Sequence, residues 1–279
     1  MKRVSTIILS LIANLLIAQS DFSPQYSNDG NQILFYSYRI EKEPEIFIIN
    51  KDGKQVKQLT KTDGNWAIEP RWSENDDFIT YSTGENMGKL RLAIHNLNKD
   101  EVKFIEKMEG TQFVISWNKN GIEWANKGKD GFKFYRKTEH DNKLIEYKQF
   151  KDYFLKSSRD GEFTVLAVND ENKKGLWVVK NNGEPKKLTD KVGSNISFSF
   201  DNTFIAFEYK ENETSNIYTV KLDGTHLQQV TSDKADDLMP TISPSGKEIT
   251  FSSSISGQFC LHTINLDNKK IKQITGLNN

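Results

Sequence analysis

The densest group of side chains able to hold a cation or a basic peptide is Asp233-x-x-Asp236-Asp237. The run lacks the central Gly and terminal Glu of an EF-hand calcium loop, so a solvated charged loop is the alternative reading. Glu69 stands in a comparable place, just before Pro70, as Asp236 and Asp237 stand before Pro240. Brought together, such carboxylates could perform the acid/base chemistry of glycan cleavage. Trp66, in the polar run Asp63-Gly-Asn-Trp, is the best placed aromatic for recognition. Arg39 follows a Tyr-Ser-Tyr run and offers a cation. Other chemistries lack their residues. The four histidines (His95, His140, His226, His262) are far apart in sequence, and there is no His-Glu-x-x-His, no Gly-Lys-Ser/Thr phosphate loop and no cysteine pair. No metal and no cofactor is expected. Cys260, the single cysteine, sits between Phe259 and Leu261 and reads as a small buried hydrophobe.

These residues must be positioned by a chain of 279 residues with 38 basic and 38 acidic side chains. The balance argues against nucleic-acid binding, which calls for a basic excess or stripe. Lys2 and Arg3 precede an uncharged run from Val4 to Ala18, followed by Gln19 and Ser20. This reads as a secretory signal over residues 1–20, with cleavage after Ser20 or after Ala18. The run is shorter than the roughly 20 residues that span a bilayer. A periplasmic or secreted chain that does not span the membrane after cleavage is expected, folded as one domain over residues 21–279.

One stretch recurs through that domain. "YSNDGNQILFYS" at Tyr26 returns as "WSENDDFITYS" at Trp72, "WNKNGIEWAN" at Trp117, "SSRDGEFTVLAV" at Ser157, "FSFDNTFIAFEY" at Phe198 and "ISPSGKEITFSS" at Ile242. The aligned positions Ser27, Ser73, Asn118, Ser158, Ser199 and Ser243 lie 40 to 46 residues apart. Most copies are followed by a second half such as "IFIINKDGKQVKQLT". Each unit then holds four short strands, A to D, with Asp-Gly or Asn-Gly turns that are strong hairpin signals. Four antiparallel strands repeated six times at this spacing predict an all-β, six-bladed β-propeller of four-stranded antiparallel blades. Tyr26, Trp72, Trp117 and Phe198, with Phe47, Trp177 and Tyr218, are expected to fill the spaces between blades. Each unit is complete from A to D, which predicts closure by packing of the first blade on the sixth.

Pro24, Tyr26, Ser27, Asp29, Gly30, Ile33 and Phe35, with Pro70, Trp72, Ser73 and Tyr81 and with Pro240, Ser243, Gly246, Ile249, Phe251 and Ser252, form a pattern that resembles the repeats of TolB-type six-bladed propellers. Related repeats occur in tricorn and prolyl-oligopeptidase propellers. The resemblance covers the propeller portion only. The sequence has neither the N-terminal α/β domain of TolB nor the Gly-x-Ser-x-Gly elbow of the peptidases.

In such a ring the A–B and C–D turns share one face, and the longer B–C and D–A loops share the other, around the mouth of the central channel. Variable loops on a rigid scaffold are where binding residues concentrate. That face would carry Arg39, Glu41, Trp66, Glu69, Asp236 and Asp237. The expectation is a monomeric, non-catalytic propeller that binds an envelope protein or peptide there, through Trp66, Glu69, Arg39, Asp236 and Asp237. The alternative is a glycan-active lyase or hydrolase using carboxylates at the channel mouth.

Overall fold

The computed structural model describes residues 20–40, 42–137 and 142–276. The leader up to Gln19, Glu41 and His140 lie outside them. Among the described residues every regular element is a β-strand, and no helix is long and apolar enough to cross a membrane.

Blade one comprises β1 (Asp21–Tyr26), β2 (Gln32–Ser37), β3 (Glu45–Asn50) and β4 (Lys57–Gln58). Blade two follows with β5 (Trp66–Trp72), β6 (Phe78–Gly84), β7 (Arg91–Asn96) and β8 (Glu101–Phe104), and blade three with β9 (Thr111–Asn118), β10 (Gly121–Gly128), β11 (Gly131–Lys137) and β12 (Asn142–Ile145). Blade four holds β13 (Tyr153–Ser157), β14 (Phe163–Val168), β15 (Gly175–Lys180) and β16 (Lys186–Thr189), and blade five β17 (Ser194–Phe198), β18 (Phe204–Glu211), β19 (Thr214–Lys221) and β20 (Gln228–Gln229). Blade six is β21 (Asp237–Ile242), β22 (Glu248–Ser253), β23 (Cys260–Asn265) and β24 (Ile271–Gln273). Each sheet contains four consecutive strands in order, so the ring closes without exchanging a strand.

The repeated serine explains the hairpin between the first two strands of five blades, and in blade three Asn118 Oδ1 accepts from the Asn120 amide instead. Ser27 Oγ donates to Asp29 Oδ1 at 2.6 Å and accepts from the Gln32 amide at 3.0 Å. The same bond, a backbone amide donating to the hydroxyl, recurs at Ser73, Ser158, Ser199 and Ser243 at 3.0–3.1 Å. These bonds to Ser27, and to Asn31, hold the Asp29 carboxyl below its ordinary value.

Strand periodicity divides the core into six clusters, one per pair of neighbouring blades. On β2, Ile33 and Phe35 face blade six with Leu261 and Ile274, while Leu34 faces Trp72, Ile79 and Tyr81 of blade two. Tyr26, Trp72, Phe47 and Tyr218 are buried, and Trp117, Phe198 and Trp177 are partly buried in these clusters, as their repeat positions predict. Cys260 is fully buried. Apolar burial of this kind contributes roughly 1.5–3 kcal/mol per large side chain.

The innermost strands carry an irregularity that the repeat pattern does not announce. In β1, β5, β17 and β21 the register shifts between Phe22 and Gln25, Ile68 and Arg71, Ser194 and Ser197, and Leu238 and Thr241. Ser23, Glu69, Asn195 and Met239 occupy these bulges at φ of 53°, 54°, 48° and 54°. The next residue is Pro24, Pro70, Ile196 or Pro240. Proline is tolerated because an innermost strand is a sheet edge, where its missing N–H costs no ladder bond. A bulge re-aims the side chain it carries, here towards the bore.

Candidate functional site

The long-loop mouth opens into a cavity of about 490 Å³ running down the bore. All six inner strands contribute to its wall. Two aromatic arcs frame it. Tyr36, Tyr38 and Trp66 meet edge-on across blades one and two, with ring centroids 6.3 and 6.4 Å apart. Phe113, Phe132 and Phe154 form the second across blades three and four, at 6.4 and 6.1 Å. Phe132, Phe154 and Met87 are exposed at 44%, 41% and 47%, far more than the core aromatics. Exposed apolar groups grouped at one opening are a mark of a binding surface.

Below the aromatics the wall becomes polar. Glu69 Oε2 accepts from Ser23 Oγ and from Arg71 Nη2, both at 3.0 Å. Arg71 donates through Nε to the Ile115 carbonyl at 2.9 Å and through Nη1 to the Pro70 carbonyl at 2.8 Å. Lys156 Nζ donates to the same Ile115 carbonyl. Ile115 is the extra residue of a bulge in β9, left out of the pairing with β10, and its carbonyl is turned to these cations. Lys156 is reached by water along the bore yet walled in by protein. That burial, reinforced by the Arg71 charge, holds its ammonium well below the ordinary lysine value against the opposing pull of Glu69 and Glu123. Burial, with Glu69 nearby, pushes the Tyr36 hydroxyl well up.

A second cavity opens from the short-turn face, and the two share Gln25, Arg71, Lys156 and Ile196. These mark the waist of the bore. Gln25, Arg71, Ser116, Lys156, Ser197 and Thr241 line this lower cavity, one from each blade, each immediately before the residue that enters the blade interface.

The structure brings Trp66 and Glu69 together on the cavity wall. Trp66 is the first residue of β5, paired with Gly84, rather than part of the preceding loop. Arg39, Asp236 and Asp237 are not among the residues lining the cavity. Arg39 donates from Nη2 to both carboxylate oxygens of buried Asp21, at 2.8 and 2.9 Å, and its guanidinium lies over Phe35 and Phe47. Asp236 accepts from the Ser215 amide at 2.9 Å and receives its own support from Ser254. Asp237 begins β21 with no exposed surface. Neither carboxylate oxygen reaches hydrogen-bond geometry with a partner. Burial pushes its carboxyl up to about 6 although Ser253 and Thr231 pull it down, and Asp233 and Asp236 add to the rise. The described histidines lie on separate blades, His95 against Asp100 and His262 against the Cys260 carbonyl.

Arg71, Ser116, Lys156 and the Phe113–Phe132–Phe154 arc carry the polar and apolar character of the bore without standing out in the sequence. Reading the repeat alignment one place before the aromatic position finds the waist. Nothing comparable marks Phe132, which lies on an outer strand.

No family model matches the sequence, and no curated protein matches it. Among solved structures the tricorn protease is similar over 92% of this chain, with a TM-score of 0.70 and 17% identity; the match spans 26% of the tricorn chain. The β-propeller domain of the Trilobed protease from Pyrococcus furiosus, which has an open velcro topology, is similar over 93% of this chain and 85% of its own, with a TM-score of 0.62 and 15% identity. Oligogalacturonate lyase in complex with manganese is similar over 90% of both chains, with a TM-score of 0.60 and 12% identity. At such identities the likeness is one of fold, which the same architecture lends to many functions. The chain has a six-bladed β-propeller fold of four-stranded antiparallel blades.

Proposed function

We propose that this chain is an exported, non-catalytic propeller that binds a protein partner in the cell envelope through the long-loop mouth of its bore. The leader-like run over residues 1–20 supports export to the periplasm or beyond. The observation that carries the binding reading is the pair of aromatic arcs at the mouth, with Met87, Phe132 and Phe154 exposed beside it. Large aromatics over a rigid scaffold supply contact area at little entropic cost, and such residues dominate protein interfaces. The carboxylate-pair alternative is less well supported. Glu69 is the one acid among the residues lining the cavity, and it is already ion-paired with Arg71.

The test is a photo-crosslinking amino acid placed at Met87, on the mouth, or at Asp52, in a C–D turn of the opposite face. A discrete protein adduct in envelope preparations is expected from position 87 and not from position 52. Adducts from both positions alike, or from neither, would defeat the proposal. So would turnover of a polysaccharide that Glu69→Gln abolishes.

A further inference from the structure

The waist of the bore presents two cations and no acid: of its six positions, Arg71 and Lys156 are charged and Gln25, Ser116, Ser197 and Thr241 are neutral. Arg71 Nε, at 2.9 Å, and Lys156 Nζ converge on one acceptor, the Ile115 carbonyl. A single carbonyl dipole cannot neutralise two charges. Glu69 offsets one, through Arg71 Nη2. The other nearby acid, Glu123, is fully buried and engaged through Oε1 by Arg136, at 2.9 Å from Nε and 2.5 Å from Nη2. With Lys156 protonated, one positive charge has no counter-charge among these groups in an enclosed channel, where electrostatic interactions are stronger than in bulk water. Burial and Arg71 disfavour that ammonium, and an anion bound beside it would favour it again. Ser116, on the blade between the two cations, has its Oγ buried without a hydrogen-bond partner. Buried hydroxyls are normally satisfied, so this one is a donor in want of an acceptor.

We propose that Arg71, Ser116 and Lys156 form a carboxylate-binding site at the waist, and that its occupant is the C-terminal carboxylate of a polypeptide segment entering from the aromatic mouth. The claim deepens the protein-binding reading above and rests on it. A ligand in this bore must carry its negative charge at one end of an apolar body. The charge reaches the waist while the body lies against Trp66, Phe113, Phe132, Phe154 and Met239. A chain end with apolar last residues has that form, and terminal carboxylates are a recurring recognition feature of peptide sites. An acidic side chain within a continuous segment would require two strands to thread the bore. A uronic-acid chain would place a carboxylate on every ring and set charges against the apolar wall. The cavity of about 490 Å³ is within the range of small-molecule and short-peptide sites.

The probe is a pool of hexapeptides, randomised in the first four positions with Leu or Phe in the last two, prepared as free acids and as C-terminal amides. Titration of the full chain, followed by calorimetry, is expected to show at least tenfold tighter binding of the acids. Lys156→Met is expected to abolish that preference while leaving amide binding unchanged. Lys156→Gln serves as a second variant, with thermal unfolding to confirm that both fold. Equal binding of acids and amides would overturn the anchor. So would a preference that survives both variants, absence of binding by either pool, or tighter binding of an oligogalacturonate than of any pool. Each can occur with the Met87 crosslink intact, so the anchor and the mouth reading fail separately.

Discussion

Asp237 is buried at the start of β21 with a carboxyl raised to about 6 from 3.8. Because the folded value is the higher, the native state holds this proton more tightly than the unfolded chain. The associated stability is fully present below about pH 4 and is lost as pH rises through 6. A difference of about two units corresponds to ~3 kcal/mol. Asp237→Asn is therefore expected to raise the melting temperature by several degrees at pH 7.5 and to leave it unchanged at pH 4. Melting curves at the two pH values check this, and a loss of stability at both would show that the carboxylate is held by bonds worth more than its burial costs. At this scale the site was only partly legible. Trp66 and Glu69 stood out by composition and reached the cavity, whereas Arg71, Ser116 and Lys156 share a position but no chemistry, so no motif betrays them. Asp236 and Asp237 are conspicuous in the sequence, yet Asp236 engages Ser215 and Ser254 at strand ends and Asp237 is buried away from the cavity.

At the scale of the element, the hairpins between the first two strands of each blade were readable because their chemistry is local. In four of the six turns a serine hydroxyl, an Asx side chain and a residue tolerant of positive φ close the hairpin; blade three has Asn118 for the serine and blade six Ser245 for the Asx residue, and the pattern recurs at blade spacing. The bulges of the inner strands were not readable, because Ser23, Glu69, Asn195 and Met239 have no common propensity for a left-handed backbone. The hairpin turns also make contacts between blades. Gly30 has φ of 71°, and a Cβ there would stand 3.0 Å from Pro244 Cδ of blade six. Gly30→Ala is expected to cost about 1–3 kcal/mol through backbone strain, with a further penalty if the proline ring cannot yield. Urea unfolding measures it; an unchanged midpoint would mean that the turn relaxes freely.

For the whole molecule, the decisive question is how a ring of separately complete blades stays closed. The Asp21 amide donates to the Phe259 carbonyl at 2.9 Å, and Tyr26 Oη shares a hydrogen with Thr250 Oγ1 at 2.7 Å. Phe22 and Phe259 pack with centroids 5.0 Å apart, and Lys272 Nζ reaches the Asp52 carbonyl at 3.0 Å. Arg39 secures the start of β1 by holding Asp21, whose side chain is 1% exposed. Removing one member of a buried ion pair leaves an uncompensated charge and costs about 3–5 kcal/mol. Arg39→Ala is expected to release the seam first. Hydrogen exchange should accelerate in blades one and six before blades three and four, and uniform acceleration around the ring would contradict this. Blade number and order were readable because the repeat is long and regular. The charge of the bore was not, since it emerges only when strands remote in sequence are set side by side.

The four left-handed bulges bear on how such a molecule can change. Each holds a different residue, serine, glutamate, asparagine or methionine, in nearly the same backbone conformation. The side chain is directed away from the interblade packing, so the identity of that residue and the integrity of the hydrophobic layers are largely independent variables. A propeller built this way can be given a new inner chemistry by single substitutions at Ser23, Glu69, Asn195 and Met239 while its walls stay as they are.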